Sequence, residues 1–71
     1  MEGNRIKTAR IAKGLTQEEL GKLVGVSGVA IMRYEKNQRQ PKQKLVYKLS
    51  KVLDVNEAWL MGYDVPMERD F

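Results

Sequence analysis

The side chains best equipped for chemistry in this chain are amide and cationic groups, not nucleophiles. There is no cysteine and no histidine, so the soft metal ligands and the commonest general base are missing together. The carboxylates are scattered without a nucleophilic partner, and no enzyme activity, metal, cofactor or small-molecule substrate is expected. What remains is recognition. Arg33 carries a planar fork that can donate two hydrogen bonds to a guanine edge, or else serve as a phosphate contact or a solvated charge. Val29 and Met32 suit thymine methyl groups, with Met32 equally suited to a core edge or a partner surface. Gly28 offers only its backbone N–H. Gln17 stands at an expected helix start, where free N–H groups and the helix dipole favour an anion such as phosphate. Lys36, Asn37, Arg39, Lys42 and Lys44 form a basic cluster that can hold further phosphates, although solubility alone explains some of them.

Charge is unevenly distributed. Residues 1–51 carry twelve Lys and Arg against four Glu, a surplus of eight positive charges. Residues 52–71 carry Arg69 alone against Asp54, Glu57, Asp64, Glu68 and Asp70, a surplus of four negative charges. A basic body fits a polyanionic partner or a plain lysine-rich surface. No stretch is long and apolar enough for a signal core or a membrane span, and a cytoplasmic protein is expected.

Five helices are needed to position these groups. Ile6, Ala9 and Ala12 recur at helical spacing over about residues 4–13 and stop at Gly14, with Ile11 off the stripe. Thr16 with Glu19 three residues on forms a capping-box pattern that opens a second helix at Gln17. Leu20, Leu23 and Val24 are its expected inner stripe, and Gly25 terminates it after about two turns. Ser27 caps a third helix running to about Lys36, so the second and third must cross steeply around a tight turn. Gly21 lies where they would touch. Pro41 suits the first turn of a fourth helix, with Leu45, Leu49, Val52 and Leu53 as its stripe. Asn56 caps a short fifth helix to Met61 that ends at Gly62; its Leu60 reads as core and its Trp59 as core or subunit interface. Residues 63–71 show no period and read as a loosely held tail or linker after a domain of residues 1–62.

Stepping around the third helix at about 100° per residue puts Gly28, Val29, Met32, Arg33 and Lys36 on one face and Ala30, Ile31 and Tyr34 on the other. The second set must face the core. The first projects outward, with its smallest side chains at the end that can enter a major groove. Arg10 and Glu35 are expected to bridge the first and third helices as a structural ion pair, while Lys48 and Lys51 read as solvated charges.

The stretch LTQEELGKLVGVSGVAIMRYEKNQRQP, followed by LVYKLSKVLDV, resembles the lambdoid phage repressor and Xre-type helix-turn-helix family over about residues 4–61. The segment NEAWLMGYDVP further resembles temperate-phage repressors of Gram-positive hosts, in which such a segment leads toward a C-terminal oligomerisation domain. The resemblance implies an all-α, five-helix lambda-repressor-like domain, no cofactor, and a homodimer on a roughly palindromic double-stranded DNA operator. It gives Gln17 a phosphate or base role, places Gly28, Val29, Met32 and Arg33 at base-facing positions, and makes Arg10 with Glu35 an internal pair. Many members carry a hydrogen-bonding residue where this chain has Gly28 and Val29, which shifts weight onto Arg33, phosphate contacts and DNA shape. The competing expectation is a protein-interaction module, such as an antitoxin or anti-repressor partner, motivated by the outward Val29 and Met32.

Overall fold

A computed structural model describes residues 2–69; Met1 and the tail residues Asp70 and Phe71 lie outside them. Its elements are α1 (Gly3–Ala12), α2 (Gln17–Val24), α3 (Gly28–Glu35), α4 (Gln43–Leu53) and α5 (Glu57–Leu60), with no strand among the described residues. The α2–α3 pair forms the most extensive contact, α1 packs on α3 and α4 on α2, and α5 packs on α1 and α4.

The local signals act where their chemistry allows. Thr16 accepts the Glu19 N–H at 3.0 Å, and the Glu19 carboxylate accepts the Thr16 N–H at 2.8 Å, so two otherwise unpaired donors are satisfied reciprocally. Gly25 takes the left-handed conformation at φ 81°, and the Val26 N–H returns to the Gly21 carbonyl at 2.9 Å, stopping α2 after eight residues. A Cβ on Gly21 would stand 2.5 Å from the Val26 carbonyl oxygen. Only glycine therefore lets α2 press against the backbone of the turn.

Ile6, Leu20, Ile31, Leu49, Leu53 and Leu60 are fully buried at the centre, and every one of the five helices contributes to them. Three expectations change at α2 and α4. Leu23 points to solvent, 58% exposed. Leu20, Gly21 and Val24 set the inner direction of α2, and Leu23 lies about 100° away from it around the axis. In α4 the buried stripe runs through Val46, Leu49, Ser50 and Leu53, whereas Leu45 and Val52 lie at its partly covered edges. Pro41 is outside the helix, because Lys42 is extended (ψ 160°) and its carbonyl accepts the first N–H groups, those of Leu45 and Val46.

Beyond α5, residues 63–69 fold back onto the body. The Asn56 N–H donates to the Met67 carbonyl at 2.8 Å, and Met67 packs against the core. Arg5 of α1 donates to the carbonyls of Trp59 and Tyr63 at 2.7 and 2.8 Å and lies 5.0 Å from the centre of the Trp59 ring. One arginine thus caps the C-terminal end of α5 and stacks on its aromatic side chain. The half-buried Trp59 packs on the core from there.

Candidate nucleic-acid interface

Helix α3 owes its orientation to what it buries. Ser27 caps it by accepting the Ala30 N–H at 3.0 Å. Ile31 and Tyr34 are buried, Ala30 partly so, and Val29, Arg33 and Lys36 face solvent, with Met32 half-buried between the two faces. A Cβ on Gly28 would lie 3.0 Å from the Glu18 Cα, so the start of α3 sits tightly against the first turn of α2. A larger side chain there would push the two helices apart.

Glu35 completes the inward face as a buried carboxylate. Its Oε2 accepts Arg10 Nε at 2.6 Å, and its Oε1 accepts Arg10 Nη2 at 3.2 Å. Arg10 Nη1 donates to the Leu15 carbonyl at 2.9 Å, holding the α1–α2 connection as well. With side-chain exposures of 11% and 3%, removing one partner strands a buried charge, at a cost of about 3–5 kcal/mol. Gln17, the first residue of α2, donates from Nε2 to Glu35 Oε1 at 3.1 Å, so a single carboxylate binds α1, α2 and α3 together.

The expected phosphate-holding residues divide between two clefts, one at each end of α2. At its N-terminal end, Gln17, Lys36 and Asn37 line a cleft with Asn4 and Lys7 of α1. At its C-terminal end, Arg39, Lys42 and Lys44 line a groove with Val24, Val26, Leu45 and Lys48. Asn37 also ties the end of α3 to the start of α1, since it is left-handed at φ 59° and its Oδ1 accepts the Gly3 N–H at 3.1 Å. Asn4, Lys7 and Lys48 were not singled out as site residues in sequence. Lys48 differs from neighbouring lysines only by its position across the groove, and Asn4 and Lys7 are 10 or more residues from Gln17 in the chain. Among the described residues no cluster of acidic groups is arranged to hold a metal ion, and no helix is long and apolar enough to cross a membrane.

Comparison with known proteins places this geometry. The Helix-turn-helix family model matches residues 6–60. Repressor protein C2 of Salmonella phage P22 is 36% identical over 63 residues, which are 89% of this chain and 29% of that protein. An uncharacterized HTH-type transcriptional regulator of Archaeoglobus fulgidus is 38% identical over 84% of this chain and 86% of its own length. The chain thus spans less than a third of the phage repressor and nearly the whole of the archaeal protein. Among solved structures, the P22 c2 repressor in complex with a synthetic operator superposes with a TM-score of 0.79 at 38% identity, covering 82% of this chain and 88% of that one. The regulator of biofilm formation SinR in complex with DNA gives 0.78 at 35% identity, over 86% of this chain and 98% of that one. With a family match over most of its length and closely packed α2 and α3 inside the matched region, this chain belongs to the helix-turn-helix family.

Proposed function

We propose that this domain is a sequence-specific DNA-binding transcriptional repressor or regulator, acting in the cytoplasm, that reads an operator with α3 lying in the major groove. The observation that carries the reading is the direction of α3: Ile31 and Tyr34 are locked into the core, which leaves Val29 and Arg33 presented outward beside two basic clefts. Arg33 donates to a guanine edge. Val29, 56% exposed, and Met32 meet thymine methyl groups, and Gly28, whose missing Cβ faces Glu18 of α2, offers only its backbone N–H. Lys36, Arg39, Lys42 and Lys44 hold flanking phosphates, with Gln17 at the α2 N-terminus and Asn37 beside it. That relatives were solved in complex with a synthetic operator and with DNA supports the DNA-binding reading. A roughly palindromic operator is then bound by two copies, one half-site each.

Selection of binding sites from random duplexes tests this directly. An inverted repeat with half-sites about 10 base pairs apart is expected. Failure to enrich any sequence, with equal affinity for every duplex, overturns it.

A further inference from the structure

We infer that Glu35 is a positioning residue for DNA binding: it orients the Gln17 side-chain amide toward an incoming phosphate, an inference that rests on the DNA-binding reading above. The Gln17 Nε2 to Glu35 Oε1 hydrogen bond, at 3.1 Å, connects the first residue of α2 to the last residue of α3. A primary amide nitrogen has two hydrogens, and fixing one on Glu35 directs the other away from it. Gln17, Glu35, Lys7 and Lys36 all line one cleft, so that second N–H is available in a cleft that two lysines share at a helix N-terminus.

Three features favour positioning over simple packing. A free glutamine side chain samples many rotamers, and the ordering that phosphate binding would otherwise require is already complete. The acceptor is an ionised carboxylate, which polarises the amide it holds and makes its remaining N–H a better donor. Arg10, bonded through two nitrogens to the same carboxylate, offsets a negative charge that would otherwise stand close to the phosphate. The Arg10–Glu35 pair therefore acts in DNA binding through a residue that neither charge needs for its own pairing.

A double-mutant cycle on DNA affinity separates positioning from stability. The Gln17→Ala variant is compared in the natural background and in Arg10→Met/Glu35→Leu, which removes both charges and so leaves neither stranded. Binding to the selected operator and to a scrambled duplex is followed by fluorescence anisotropy, with urea melts on each variant. In the natural background Gln17→Ala is expected to weaken binding to both duplexes about ten- to a hundredfold, the value of one hydrogen bond to a charged group. In the double-variant background the same change is expected to have an effect of less than about twofold. Equal losses in both backgrounds overturn the inference, as does undiminished binding by Gln17→Ala. Should the parent bind neither duplex, the DNA-binding reading itself falls. The unmodified domain supplies an independent check: in NMR spectra of the free protein one Gln17 Nε2 hydrogen is expected to be shifted away from its position in a solvated glutamine and to be slow to exchange with water. A Gln17 amide with the shifts and fast water exchange of a solvated glutamine contradicts the inference even if the double variant does not fold.

Discussion

Arg33 and the lysines at the start of α4 and just before it carry the same charge but have different roles in the proposed complex, one at a base edge and the others at phosphates, and substitution separates them. Arg33→Ala is expected to cost about 1–3 kcal/mol on the selected operator and to relax preference at one base position. Lys42→Ala or Lys44→Ala is expected to weaken binding almost equally for all sequences and to lower the salt dependence by about one counterion each. Anisotropy titrations at several salt concentrations measure both effects. The outward direction of Arg33 was legible because its position on a 3.6-residue wheel is independent of the rest of the fold. The second role of Asn37, accepting a hydrogen bond from the Gly3 N–H, was not. Its partner lies 34 residues away, and no local pattern announces it.

At the scale of elements, the turn between α2 and α3 depends on two small devices. Gly21→Ala would drive a methyl into the Val26 carbonyl, whose backbone cannot move without shifting the start of α3. A net destabilisation of about 1–3 kcal/mol is expected, visible in urea melts, even though alanine is the better helix former. The capping box gives a pH signature. Accepting the Thr16 N–H, the Glu19 carboxyl is held below the usual carboxylate range. Its folded-state pKa is lowered, so the stability it contributes is fully present above the ordinary glutamate range and is lost as pH falls through the folded value. Glu19→Gln is expected to flatten this part of the acid limb of a stability–pH profile, while Thr16→Ala costs about 1 kcal/mol at neutral pH. Caps and glycine stops were readable because they satisfy backbone groups within three or four residues. The inner faces of α2 and α4 were less so. Leu23 and Val46 have the same apolar character as their neighbours, and only the direction of packing assigned one to solvent and the other to the core.

Across the whole molecule, a core shared by five short helices holds one exposed helix face in place. The described body has a radius of gyration of only 10.7 Å, so few buried side chains stand between α3 and any other surface. The helix order and the outward face of α3 followed from periodicity. The return of residues 63–69 onto the body did not, because Met67 and the Asn56 N–H meet only once α4 and α5 have docked. The central claim is that α3 is the surface laid against DNA, and an NMR titration of the isotope-labelled domain with its selected operator tests it most directly. The largest amide shifts are expected at Gly28, Val29, Met32 and Arg33 and in the first turn of α2, with little change at Ile11, Lys13 and Lys51. Shifts concentrated on those last three residues, with α3 unperturbed, would contradict it.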